Sequence, residues 1–133
     1  MGLAKQCYFL TREFPHEDTY RMTSQIRRAA ASVPANIAKG CGRESKGDYV
    51  RFLRIAQGSL KELETHLILS TEVKLAQSED TEPLLQTADK IGRMLRSLIR
   101  SLETKGGRRS NGADNAADNR LPTADSLLPL KNL

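Results

Sequence analysis

Residues 45–67 read SKGDYVRFLRIAQGSLKELETHL. Apolar side chains recur at Tyr49, Leu53, Ala56, Leu60, Leu63 and Leu67, alternately four and three positions apart. A helix of about 3.6 residues per turn gathers such positions into one stripe. Ser45 and Asp48 open the run as an S-x-x-D capping signature, in which a hydroxyl and a carboxylate satisfy free amides of the first turn. The pattern predicts a long amphipathic helix, broken at Gln77-Ser78-Glu79-Asp80-Thr81.

The flanking sequence follows the same spacing. Upstream, Leu3, Cys7, Leu10 and Phe14 form a short ladder that stops at Phe14-Pro15, because the residue before a proline is biased away from the helical region. A second ladder, Ile26, Ala30, Val33 and Ile37, starts near Thr23 as N-cap and ends at Gly40-Cys41-Gly42, where glycine tolerates a left-handed cap. Pro34 lies inside it, cannot donate to the Ala30 carbonyl and is expected to bend the helix. Downstream, Thr81-Glu82-Pro83 opens a fourth helix with proline in the first turn. Its heptad columns are Leu84, Ile91, Leu98 and Ala88, Leu95, Leu102. No stretch alternates as a strand does. Four amphipathic helices with short connections predict an all-α, antiparallel up-down four-helix bundle over residues 1–104, with a short first helix.

Residues 105–133 are rich in Gly, Asn, Asp and Pro and lack a sustained period. They read as a flexible tail. Its leucines, Leu121, Leu127, Leu128, Leu130 and Leu133, give the competing expectation of an arm docked on a neighbouring subunit.

Composition narrows the function classes. The 133 residues carry 21 Lys plus Arg against 16 Asp plus Glu, a net charge of +5, with 5% aromatics and no Trp. One aliphatic core is affordable, and an anionic partner is suggested. No apolar run is long enough to span a bilayer. Met1–Cys7 lacks the apolar stretch of a secretion signal, and Gln6 stands where a myristoylation motif wants Ser or Thr. Cys7 and Cys41 form neither a CxxC motif nor a disulfide framework, so a reduced, cytoplasmic protein is expected.

The basic residues are arranged rather than scattered. Arg27, Arg28, Lys39, Arg43, Lys46, Arg51, Arg54 and Lys61 surround the second and third helices. Lys90, Arg93, Arg96 and Arg100 run along the fourth. Cations at helical pitch neutralise several phosphates and release their counterions. With few aromatics among them, contact with nucleic acid would be to phosphate and shape, hence weakly sequence-specific. The competing reading is a solvated face, or pairing with Glu62, Glu64 and Glu103.

Catalytic readings are poor. His16 and His66 make no metal spacing with Cys7 or Cys41. Glu62 and Glu64 lie two apart, on different helix faces, without the ExxH companion of a di-iron bundle. GCGRESKG lacks the GxxxxGK[ST] arrangement of a phosphate loop. No enzyme, cofactor or metal is expected.

Other positions point to packing. Ala29, Ala30 and Ala31 permit close helix approach, and Gly58-Ser59 is expected to accept a neighbouring backbone. Asn36 and Glu62 are expected to fix register or a subunit contact in a helix seam. Val50, Phe52, Ile55, Ile68 and Leu69 widen the apolar surface of the third helix beyond one seam, which favours self-association.

One combination of motifs is specific. Phe14-Pro15-x-Glu17, then Thr23-x-Gln25-Ile26-Arg27-Arg28-Ala29-Ala30, then Ser32-Val33-Pro34-Ala35-Asn36-Ile37-Ala38-x-Gly40, continues through Gly42-Arg43, Tyr49, Phe52-Leu53, Ile55-Ala56, Gly58-Ser59-Leu60 and Glu62-Leu63-Glu64. Over about residues 7–104 the chain resembles the 23S ribosomal RNA intervening-sequence protein family. It departs at Lys39, where the family usually has Glu. The resemblance implies a cytosolic four-helix bundle assembling as a ring of five, without enzymatic activity. The chain is also similar to the accessory proteins of diversity-generating retroelements, which implies nucleic acid and a polymerase as partners. Two expectations follow: a module binding rRNA or other nucleic acid through basic faces, or a scaffold binding a polymerase or processing factor.

Overall fold

The computed structural model describes residues 2–15 and 20–107, so His16, Glu17 and the expected tail from residue 108 onward lie outside the described residues. Among the described residues there are four helices and no strand: α1 Leu3–Arg12, α2 Tyr20–Cys41, α3 Lys46–Glu72 and α4 Ser78–Gly107. Each packs against two others, α1 and α3 both resting on α2 and α4.

The sequence signals hold most closely in α3. Ser45 is its N-cap, and its hydroxyl accepts from the Asp48 amide at 3.1 Å. Every member of the Tyr49–Leu67 ladder is buried. The helix closes at Lys74, whose φ of 64° lies in the left-handed region. The Leu75 amide donates to the Ser70 carbonyl at 2.9 Å and the Lys74 amide to that of Thr71 at 3.1 Å, which makes a Schellman cap.

Elsewhere the boundaries move. α2 begins at Tyr20, ahead of Thr23, and is continuous through Pro34. α4 begins at Ser78, inside the expected break. The amides of Asp80 and Thr81 both donate to the Gln77 carbonyl, at 2.9 and 3.1 Å, and Glu79 and Asp80 place negative charge where the helix dipole favours it. Pro83 therefore lies past the first turn, and its ring supplies no N–H to the Glu79 carbonyl. α4 continues past Lys105 to Gly107.

The core joins all four helices: Leu3 and Cys7 from α1, Ile26, Ala30, Val33 and Ile37 from α2, the α3 ladder, and Leu84, Ala88, Ile91, Leu95, Ile99 and Leu102 from α4. In α4 the expected Leu98 is only half-buried while Ile99 is buried. A period of 3.6 drifts off a strict heptad by roughly 20° per repeat, and over two heptads this carries the buried stripe onto the next residue. In α1 the expected Leu10 is half-buried and Thr11 is buried instead. The Thr11 hydroxyl donates to the Cys7 carbonyl at 2.9 Å and accepts from Arg27 Nε of α2 at 2.9 Å.

Gly40 does not serve as a helix cap. It is buried within α2, and a Cβ there would meet Tyr49 Cδ2 at 2.9 Å and Phe52 Cβ at 3.1 Å. Gly58, expected to receive a neighbouring backbone, is exposed and has nothing within 4 Å of its Cβ position. Close approach of α2 to α3 thus occurs at Gly40, where the two helices meet at the connecting turn.

Candidate nucleic-acid interface

Three features set the site: which cations reach solvent, which are tied down, and what holds α2 and α3 in register beneath them. Of the expected contact residues, Arg28, Lys39, Arg43, Arg51, Arg54, Arg93, Arg96 and Arg100 are exposed. Carboxylates lie within 4 Å of Arg51 (Asp48, 3.7 Å), Arg54 (Glu103) and Arg93 (Asp89, 2.8 Å), all in pairs with both side chains more than half exposed. Such surface pairs contribute little and exchange readily. Among the described residues, Arg28, Lys39, Arg43, Arg96 and Arg100 have no carboxylate within that distance.

Two expected contacts are placed differently. Arg27 is half-buried, with its guanidinium 4.5 Å from the Tyr8 ring and its Nε bonded to Thr11. It pins α2 to α1. Lys46, in the first turn of α3, is half-buried and its Nζ is screened from solvent without a hydrogen-bond partner among the described residues. Its charge is not offered outward.

The competing carboxylates divide. Glu103 holds Arg54, and Glu64 lies 3.3 Å from Lys61. Glu62 is exposed and stands 3.6 Å from His66 Nε2, so it makes no α2–α3 bridge within this chain.

The α2–α3 seam carries a polar contact. Ser32 Oγ and Ser59 Oγ are 2.7 Å apart, linking α2 to α3. Asn36 Nδ2 donates to the Ser32 carbonyl at 2.8 Å and to Ser32 Oγ at 3.0 Å. Asn36 thus orients the serine that makes the crossing, one turn back on its own helix. Pro34 is half-buried beside this seam in sequence, and Ile37 is buried in the core.

Phe52 is where sequence reading fell short. It was expected on an apolar oligomer surface, yet it is only 8% exposed. Arg43 and Arg51 cover it, their Cζ atoms 4.8 and 4.7 Å from the ring centroid. The signal was present, since Arg51 adjoins Phe52 and Arg43 lies in the preceding turn, but only the two guanidinium contacts show that the ring turns toward that corner. Of the remaining apolar residues on α3, Ile55, Ile68 and Leu69 are exposed and Val50 is half-buried.

A family model described as the 23S rRNA-intervening sequence protein matches residues 1–97. The chain belongs to that family. Among solved structures, one similar to this family member is the 1.70 Å crystal structure of a protein of unknown function from the S23 ribosomal protein family of Bacteroides thetaiotaomicron VPI-5482. The two share 26% identity with a TM-score of 0.64, over 73% of this chain and 87% of that one. No curated protein matches the chain.

Among the described residues no three His, Cys, Asp or Glu side chains are grouped to hold a metal ion, and no helix is long and apolar enough to cross a membrane. Cys7 is buried, and burial pushes its thiol up to about 12. Such a thiol is unreactive at neutral pH. Tyr49 is also raised, first by burial and then by the Cys41 thiol 3.5 Å from its hydroxyl.

Proposed function

We propose that this chain is a non-enzymatic RNA-binding module, an antiparallel up-down four-helix bundle that assembles as a cytoplasmic homo-oligomer, a ring of five. The observation that carries the reading is the group of exposed cations, Arg28, Lys39, Arg43, Arg96 and Arg100, with no carboxylate within 4 Å among the described residues. An unpaired surface cation keeps its hydrogen-bond donors for phosphate and releases counterions when it binds.

The arrangement of the helices supports the bundle. Pairs Ser32–Ser59 and Gly40–Tyr49 run in opposite senses along α2 and α3, as do Thr71–Thr81 and Arg54–Glu103 along α3 and α4. The exposed Ile55 and Leu69, two heptads apart on α3, support self-association. A symmetric assembly repeats the basic face and adds weak contacts through multivalency.

The test is binding to a generic single-stranded RNA across a salt series, with native mass measured on the same sample. The expected result is an affinity that falls as salt rises, by a log–log slope of roughly 0.7 per phosphate neutralised. Affinity independent of salt removes the reading. A second reading, a scaffold for a protein partner, is favoured by the apolar groove of about 700 Å³ between α3 and α4, which includes Ile68 and Leu85. Co-purification of a protein without nucleic-acid absorbance would favour it.

A further inference from the structure

Arg43, Phe52 and Arg51 form a unit whose parts come from two places, the α2–α3 link and α3. Gly40 of α2 lies against the base of Phe52, where a Cβ on the glycine would stand 3.1 Å from Phe52 Cβ. Arg51 arises from α3 beside the ring, and Arg43 from the link that precedes α3. Both guanidinium carbons lie under 5 Å from one ring centroid, at 4.8 and 4.7 Å. A guanidinium stacked on an aromatic ring loses freedom of its plane but keeps the N–H donors along its edge. Arg43 has no carboxylate within 4 Å among the described residues, and Arg51 meets Asp48 only at 3.7 Å. Because the two share one ring, their carbons are separated by no more than twice the stacking distance. Lys39 is exposed and next to Gly40 in sequence.

We infer that Arg43 and Arg51, stacked on the single ring of Phe52, form a preorganised two-point clamp for a pair of linked phosphates. The inference rests on the RNA-binding reading for its natural ligand, a nucleic-acid strand. It adds where a strand is gripped and by what device. Phe52 is a positioning residue: it touches no phosphate and sets the spacing and plane of the two forks that do. A bidentate fork also accepts carboxylates, but two guanidinium groups held over one ring suit linked phosphates better than side chains on a flexible peptide.

The experiment compares full-length wild type, Phe52→Leu, Phe52→Tyr and Arg43→Gln/Arg51→Gln. Inorganic pyrophosphate is titrated by calorimetry, and a single-stranded RNA oligonucleotide by anisotropy across a salt series. Circular dichroism and thermal melting check the fold of each variant. Phe52→Leu keeps the charge and an apolar side chain, and is expected to weaken both ligands about three- to tenfold with the RNA salt slope unchanged. Phe52→Tyr restores binding. The double glutamine variant weakens both ligands further and lowers the RNA slope by roughly 1.4.

Wild-type affinity in Phe52→Leu, with loss in the double variant, overturns the platform. Wild-type affinity in the double variant overturns the clamp and leaves the RNA reading intact. Pyrophosphate binding without RNA binding keeps the clamp and removes the RNA reading, assigning the site to a soluble diphosphate. Stronger competition by oligoglutamate than by RNA assigns the corner to an acidic protein segment and overturns the inference. If wild type binds none of these ligands, both readings fall.

Discussion

A Cβ placed on Gly40 would lie 2.9 Å from Cδ2 of Tyr49. The tyrosine ring is fully buried and its hydroxyl contacts Cys41, so it has no room to retreat. α2 and α3 therefore touch at backbone distance next to the turn that joins them, and the basic corner stands on that contact.

Gly40→Ala consequently tests packing against propensity. Alanine in a helix interior gains about 1 kcal/mol over glycine, but overpacking against Tyr49 and Phe52 costs roughly 1–3 kcal/mol. A net loss is expected in urea unfolding. Gly58→Ala, with open space around its Cβ position, is expected to gain about 0.5–1 kcal/mol.

The Ser32–Ser59 bond calls for a double-mutant cycle. Ser32→Ala leaves both Ser59 and Asn36 short of a partner and is expected to cost about 1–2 kcal/mol. Once Ser32 is gone, Ser59→Ala should cost less than it does alone. A coupling energy of at least about 0.5 kcal/mol is expected from denaturant midpoints. Strict additivity would show that the hydroxyl contact contributes nothing to the seam.

At Lys74 the backbone is left-handed, φ 64°. A residue with a Cβ is held there at a cost of about 1–2 kcal/mol. Lys74→Gly is expected to raise stability by up to about 1 kcal/mol, and Lys74→Val to lower it. Thermal melting of the two variants on either side of wild type checks the sign.

Alkaline pH is expected to destabilise the fold. An ordinary thiol ionises near 8.5, whereas burial pushes Cys7 up to about 12. Above the unfolded value the unfolded chain loses a proton that the folded chain keeps, so stability falls as pH rises through this window. The slope approaches about 1.4 kcal/mol per pH unit for one such group. Tyr49 is raised in the same direction, by burial and by Cys41, and steepens the loss above pH 10. Cys7→Ala should flatten the pH dependence between 9 and 10, whatever its cost at neutral pH.

How far the sequence was legible varied along the chain. On α3 the repeat, the Ser45 cap and the buried ladder agree, because local signals and tertiary burial point the same way. On α4 the strict heptad misplaced one position: Ile99 lies in the core where Leu98 was expected, since an unsupercoiled helix drifts off a seven-residue period. Thr11 was invisible as a core residue because its burial depends on Arg27, sixteen residues on. The role of Gly40 was hidden for the same reason: glycine signals a cap in a one-dimensional reading and a close contact only in three dimensions. Among the cations, composition pointed to the basic face, but whether Lys46 or Arg43 reaches solvent is set by side-chain placement that no spacing rule encodes.

α1 has ten residues, fewer than an isolated helix needs to persist in water. Its order is borrowed from the groove it occupies, through Leu3, Cys7 and the Arg27 crossing. Residues 20–107 therefore act as the template and α1 as the latch that lands on it. Loosening that latch leaves the α2–α3 and α3–α4 contacts in place and uncovers the aliphatic interior, so among the four helices α1 is expected to open first.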